Sequence, residues 1–297
     1  MKKFLLNISF FAFIIALIFI IPVFLLERND NHYFTMLSKK RTAFESIEGS
    51  RVLFIGDSNL AFGLDSKTIS DSLRKPVINA GLHGGIGLHY MLQEYEDLVK
   101  SGDVVVLAPV YDQYYNGQGE YLTLPVALFY NNWHGISKLS FEQWKVFFSG
   151  YMQIIKQRNP NFSNEATYRA SYFNEYGDEI KHWNMPSLSE LPYMGYESGP
   201  INKEIISVLK KIIATWTTRG AVVYLAPPAC TKGFYEENKT RISELQNVLK
   251  GAGLLFEFEP EQCAYDESYM YDGNYHLSKK GVDVYTSLMI RMLFTKD

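Results

Sequence analysis

Strand-like and helix-like segments alternate along the chain from residue 51 onward, and this alternation restricts the fold more than any other feature. The apolar segments "RVLFIGD" (51–57), "PVINAG" (76–81) and "DVVVLAPVYD" (103–112) read as strands, with amphipathic, glycine-bounded segments between them. Strand–helix–strand order is typical of a parallel sheet covered by helices. The alternation returns near residue 202. It predicts an α/β fold, a three-layer α/β/α sandwich with a mainly parallel five-stranded sheet.

The N-terminus carries a long uncharged segment. Residues 4–26 are predominantly apolar, long enough to span a bilayer, and preceded by Lys2 and Lys3. A cleaved signal peptide is the alternative, but the exit "VFLLERNDN" lacks a small-residue cleavage site. We therefore expect one transmembrane anchor in the inner (cytoplasmic) membrane within residues 1–30 and a juxtamembrane linker over 31–50. The body, residues 51–297, would be extracytoplasmic, on the periplasmic or outer face.

Composition excludes some functions and leaves others open. The net charge of −3 offers no support for nucleic-acid binding. Cys230 and Cys263 could form a disulfide or remain buried thiols, and neither belongs to a zinc-binding spacing, so we expect no metal and no other cofactor. Residues 113–200 are rich in Tyr, Asn, Trp and Pro, with one clear helical stretch at 140–157. This insertion could be a substrate platform or a structural decoration.

Two strand ends carry the first candidate site residues, since sites in such sheets form at the carboxyl ends of strands. Ser58 follows the first strand in "GDSN", where a sharp turn would expose its hydroxyl at a helix start. The alternative is that Asp57 and Ser58 only cap the helix. After the second strand, "INAGLHGG" offers Gly81, whose N–H could face a ligand, and His83. The run contains no GxGxxG, which disfavours a dinucleotide site.

A third segment, "YDGNYHLSKKGV", precedes the last helix and supplies a base. A serine nucleophile needs a base, and the base needs an acid that orients it. His276 lies at the helix entry, Asp272 lies four residues earlier, and Gly273 eases the turn between them. The order of these residues along the chain makes Ser58, His276 and Asp272 a candidate triad.

Together, "GDSN", "NAG" and "YHLSKKG" resemble the SGNH/GDSL hydrolase superfamily, over residues 51–112 and 202–294. The resemblance implies a flavodoxin-like fold, with Ser58 as the nucleophile and His276 as the base. It also implies an oxyanion hole from the N–H groups of Ser58 and Gly81.

Two departures from the family pattern stand out. Tyr111, followed by Asp112, stands where the family commonly has an oxyanion-hole asparagine, so Asn79, His83, Tyr111 or an insertion residue would have to replace it. The acid also stands one residue further from the histidine than is usual, so Asp272 would require a slightly wider turn to reach His276.

A membrane-anchored, extracytoplasmic member of this kind is similar to DltD-like and alginate O-acetylation-type proteins. That similarity implies O-acyl (acetyl) transfer to, or removal from, a cell-surface polysaccharide, beside a multi-pass membrane acyltransferase partner. A lipase or esterase acting on small or lipid esters fits the same residues. So does a catalytically impaired module that serves as a binding or scaffold subunit, and a structural envelope protein with a fortuitous "GDSN" is a further alternative.

Overall fold

The computed structural model describes residues 2–24, 28–157, 168–192 and 199–296. Four strands form the main sheet: β1 (Val52–Ile55), β2 (Val77–Asn79), β3 (Val104–Leu107) and β4 (Val222–Leu225). Their order is β2-β1-β3-β4, and every neighbouring pair is parallel. The predicted α/β class with a mainly parallel sheet is confirmed.

The expected fifth strand is much reduced. Of the segment "LLFEFE", Phe256 alone forms a parallel bridge, opposite Leu225, and the N–H of Glu257 donates to the carbonyl of Leu225 at 2.8 Å. Leu255 is exposed, so only part of the segment packs on the sheet, as is common for short edge segments. A separate two-stranded parallel ladder joins β5 (Cys230–Thr231) to β6 (Ala264–Tyr265). Cys230 and Cys263 are free and buried.

Eleven α-helices lie within the described residues. They are α1 (Lys2–Phe24), α2 (Thr35–Ser46), α3 (Ser58–Ala61), α4 (Ser66–Leu73), α5 (Leu88–Tyr95), α6 (Gln113–Asn116), α7 (Thr123–Tyr130), α8 (Phe141–Gln157), α9 (Lys203–Thr218), α10 (Lys232–Gly251) and α11 (Lys279–Lys296).

The helices cover both faces of the sheet, because alternate strand residues point to opposite sides. On β1, Leu53 and Ile55 pack into a core built with α2, α5, α9 and α10. Val52 and Phe54 face the other core, which α4 and α11 close. The result is a sheet with helical layers on both sides, whose carboxyl edge carries the loops described below.

The predicted linker, residues 31–50, is part of the folded body. It contains α2, and Tyr33, Phe34 and Phe44 are almost completely buried in the core. Arg51, 2% exposed, packs on the Phe44 ring and forms a bidentate ion pair with Asp103. This segment packs into the core, and does not form a linker, because of these aromatic residues, which are interspersed with polar residues in the sequence.

The predicted insertion, residues 113–200, is more helical than its composition indicated. The helix expected at 140–157 is present as α8, but α6 and α7 were not expected. Residues 158–167 and 193–198 lie outside the described residues. The apolar segment "TLPVALFY" forms α7, which is buried throughout its length, so this part of the insertion belongs to the core.

The predicted membrane anchor lies at the N-terminal helix α1. Residues 25–26 of the predicted span, and the side chains at 12 and 15–24, lie outside the described residues. Among the residues that are described, no helix combines the length and hydropathy that crossing a membrane requires. Membrane anchoring therefore stays a prediction from the sequence.

Candidate active site

Ser58 lies at the start of α3, directly after a tight turn at the end of β1. A Cβ on Gly56 would come within 2.7 Å of the Ala108 carbonyl oxygen, so the turn has no room for a side chain there. Asn59 holds the turn in place: its Nδ2 donates to Ala108 O at 2.8 Å, and its Oδ1 accepts from Asp57 N at 3.1 Å. The turn thus lifts the serine hydroxyl off the sheet edge and fixes its position.

The side chains of Asp272, His276 and Ser58 form a continuous hydrogen-bonded chain. His276 Nε2 lies 2.8 Å from Ser58 Oγ, and His276 Nδ1 lies 2.6 Å from Asp272 Oδ1. The Asp272 carboxylate can accept a hydrogen bond from an Nδ1–H, which leaves Nε2 free to accept the serine proton. The imidazole is 13% exposed and the carboxylate 23%, so the chain borders solvent. The structure brings together all three residues that the sequence singled out as a triad.

A cleft of about 400 Å³ opens beside this chain. Of the residues expected at the site, Ser58, His276, Asp272, His83 and Asp112 line it. The other walls come from the loop after β2 and from the start of the predicted insertion, including Gly84, Gln113, Asn116 and Glu120. The cleft is large enough to hold an ester or a sugar unit next to the serine hydroxyl.

Gly81 is not placed as the sequence predicted. Its N–H donates to Asn79 Oδ1 at 2.9 Å, and it does not line the cleft. A Cβ on Gly81 would lie 2.6 Å from Leu60 Cβ and 2.7 Å from Asp57 O. A glycine is therefore required here because the chain packs closely beneath α3. Its N–H already donates to the Asn79 side chain.

Gly84, three residues later, is better placed to donate to a ligand. It lines the cleft, and its N–H makes no hydrogen bond to any described residue. Its carbonyl accepts from Gln113 Nε2 at 2.8 Å, which fixes the peptide. The N–H of Ser58, at the first position of α3, is likewise without an acceptor among the described residues. Two residues of the cleft wall, Ser58 and Gly84, thus carry backbone N–H groups without an acceptor among the described residues.

Asn79 and Tyr111 do not reach the cleft. Asn79 Nδ2 donates to Leu60 O at 2.8 Å and to Asp178 Oδ1 at 2.9 Å, so the side chain is engaged beneath α3. Tyr111 is fully buried and stacks against Phe234 with ring centroids 6.4 Å apart. Neither residue replaces the asparagine that the family pattern leads one to expect.

Burial perturbs two titratable groups in the cleft wall. Asp57, 1% exposed, has its pKa raised to about 7 by desolvation, although Oδ2 accepts from Val110 N at 2.7 Å. Burial, and then the nearby His276, lower the pKa of His83 to about 4, so His83 is neutral at pH 7. Its Nδ1 accepts from Gly85 N at 3.0 Å, which places the proton of the neutral ring on Nε2.

Asp57 occupies the N-cap position of α3 without capping it. Its side chain makes no hydrogen bond to the helix and binds Val110 N after β3 instead. The alternative offered by the sequence, that Asp57 caps the helix, is therefore wrong for its side chain. The carboxyl group ties the serine turn to the neighbouring strand end.

Sequence reasoning missed the cleft residues beyond Asp112 and the role of the doublet Gly84–Gly85. The doublet Gly84–Gly85 was visible in "GLHGG", and a Cβ on Gly85 would lie 2.6 Å from Glu120 Oε2. Two adjacent glycines signal a close approach of other groups to the backbone. The placement of Gln113, Asn116 and Glu120 had no local signal, because it depends on how the chain folds back after β3.

No protein-family model matches the chain, and a comparison with curated proteins finds no significant match.

Proposed function

We propose that this protein is a serine-dependent acyl-ester enzyme of the SGNH/GDSL type. The observation that carries the proposal is the hydrogen-bonded chain from Asp272 through His276 to Ser58. The strand order β2-β1-β3-β4 supports it, because it matches the first four strands of the flavodoxin-like order.

The reaction would proceed in two transfers. Ser58 Oγ attacks the ester carbonyl while its proton moves to His276 Nε2, and the Asp272 carboxylate holds the other ring proton at Nδ1. The developing oxyanion accepts hydrogen bonds from the N–H groups of Ser58 and Gly84. His276 then returns the proton to the leaving alcohol, and an acyl–serine ester remains.

The acyl group then passes to an acceptor hydroxyl. Water makes the enzyme an esterase, and a sugar hydroxyl makes it an O-acyltransferase; in both cases His276 accepts the attacking hydroxyl's proton. We propose transfer to, or removal from, an extracytoplasmic polysaccharide, with the apolar segment 4–26 holding the body at the membrane. A multi-pass membrane acyltransferase would deliver the acyl group.

The charge of the cleft favours a neutral substrate over an anionic one. Asp112, Glu120 and Asp272 line it, and no lysine or arginine does so among the residues the structure describes. Carboxylates repel an anionic polymer and leave neutral sugars unaffected. We therefore propose acetylated neutral or amino sugars over uronate or phosphate polymers.

A fluorophosphonate probe tests the proposed nucleophile. Wild type should label covalently and Ser58→Ala should not, while Ser72→Ala, an exposed serine on α4 outside the cleft, should label like wild type. Equal labelling of wild type and Ser58→Ala would refute the enzymatic proposal. Ester content of the surface polymer in a Ser58→Ala strain then tests the substrate: unchanged content would refute polymer acylation and leave a small-ester or lipid esterase.

A further inference from the structure

Phe62 lies directly against the imidazole of the proposed base. It follows α3, and its N–H donates to Ser58 O at 2.8 Å, so the two residues lie one helical turn apart on the same side. The Phe62 ring stacks on the His276 ring, with centroids 4.4 Å apart and planes inclined by 13°. Phe62 is 1% exposed, which holds the ring in this position.

A second imidazole packs on Phe62. The His182 ring centroid lies 5.0 Å from that of Phe62, and His182 Nδ1 lies 2.5 Å from Glu179 Oε2. Both members of this pair are about 2% exposed. His182 also packs against Tyr271, whose N–H donates to His276 O at 2.8 Å. The pair therefore contacts two neighbours of the base.

The segment that carries this pair, residues 174–188, is here called the brace. It is tied to the nucleophile side of the site: Glu179 N donates to Ala61 O at 2.8 Å, and Asp178 accepts from Ser66 Oγ at 2.6 Å and from Asn79 Nδ2 at 2.9 Å.

The brace is also tied to the base side. Leu188 N donates to Tyr271 O at 2.9 Å, and Ser187 Oγ donates to Met270 O at 2.7 Å. One stretch of the predicted insertion thus connects the serine turn to the histidine loop.

We propose that Phe62 is a positioning residue for His276, clamped by the His182–Glu179 pair of the brace, and that its ring face stabilises the imidazolium. The inference rests on the proposed function. When the Ser58 Oγ–H bond breaks and the Oγ–carbon bond forms, the proton goes to His276 Nε2. The resulting cation is hydrogen-bonded through Nδ1 to the Asp272 carboxylate and stacked on the Phe62 ring, whose negative π face attracts it. An aliphatic side chain fills the space but supplies no such face.

Phe62→Leu tests the inference, with Phe173→Leu as the matched control. Phe173 packs at the edge of the same cluster, 5.3 Å from Tyr33, and its ring has no contact with His276 among the described residues. With a chromogenic acetyl ester, Phe62→Leu should lower kcat about tenfold while KM stays within about twofold. Phe173→Leu should keep kcat within about twofold.

Proton NMR of the histidine rings supplies a readout that loss of stability does not mimic. The His276 ring signals, identified by their absence in His276→Gln, should move downfield in Phe62→Leu, because the ring current of Phe62 is lost. They should stay in place in Phe173→Leu. Phe62→Met, an unbranched apolar chain of adaptable shape, replaces Phe62→Leu if the latter does not fold, with the same expected results.

Three results would overturn the inference: unchanged kcat in Phe62→Leu, equal losses in the two phenylalanine variants, or unmoved His276 signals. Failure of the proposed function is distinguishable from these. If wild type does not react with the fluorophosphonate probe, the proposed function fails, whereas the NMR comparison still reports whether the rings stack.

Discussion

Asp57 should make the protein less stable as the pH rises, and Asp57→Asn should remove that dependence. The carboxyl group is almost fully buried, and desolvation raises its pKa to about 7 from 3.8. Oδ2 accepts from Val110 N, but Oδ1 has no hydrogen-bond partner among the described residues. Asparagine keeps the shape and the oxygen that accepts from Val110, and it carries no charge at any pH.

The direction and the size of this pH dependence follow from proton linkage. Below pH 3.8 the group is protonated in both states, and its contribution to stability is fully present. Between 3.8 and about 7 the folded protein retains a proton that the unfolded chain has lost, so the free energy of unfolding falls as the pH rises. Each unit of pKa difference corresponds to about 1.4 kcal/mol. Between about pH 5 and pH 8, wild type should lose about 3 kcal/mol relative to Asp57→Asn.

Urea unfolding followed by tryptophan fluorescence at several pH values measures this difference. The free energy of unfolding of wild type, minus that of Asp57→Asn, should decrease by this amount between the two pH values. Subtraction cancels the titration of every other group that the substitution leaves alone. A difference that stays constant with pH would show that Asp57 ionises with an ordinary pKa, and the account of its burial would be wrong.

Two further predictions test the roles assigned to Asp272 and Gly81. Asp272→Asn should lower kcat/KM about 10²- to 10⁴-fold, because an amide can donate to Nδ1 and leave Nε2 protonated. Asp266→Asn, six residues earlier and outside the cleft, should have little effect. Near-normal activity of Asp272→Asn in an ester assay would remove Asp272 from the triad. Gly81→Ala should lower the thermal unfolding midpoint strongly, because its Cβ would meet Leu60 and Asp57 at 2.6–2.7 Å, while at Gly84 the nearest atom is the movable Gln113 Nε2 at 3.3 Å. Equal midpoints for Gly81→Ala and Gly84→Ala would contradict the packing argument.

The sequence by itself determined the fold class, because apolar strands and amphipathic helices carry periodic signals that local composition reveals. It also singled out Ser58, His276 and Asp272, since a nucleophile, a base and an acid each stand at a strand end or helix entry in "GDSN" and "YDGNYH". The ends of parallel strands lie at one edge of the sheet. Ser58 and His276, 218 positions apart, could therefore be paired from the sequence alone.

Tertiary structure decided which backbone groups and supporting side chains surround that triad. Whether the N–H of Gly81 is free depends on where the Asn79 side chain points. The role proposed for Phe62 depends on its stacking against the His276 ring. The brace lies more than a hundred residues from Ser58, and its contact between His182 and Glu179 is buried by several elements. Such contacts depend on packing between segments far apart in the chain, for which a single sequence carries no periodic signal.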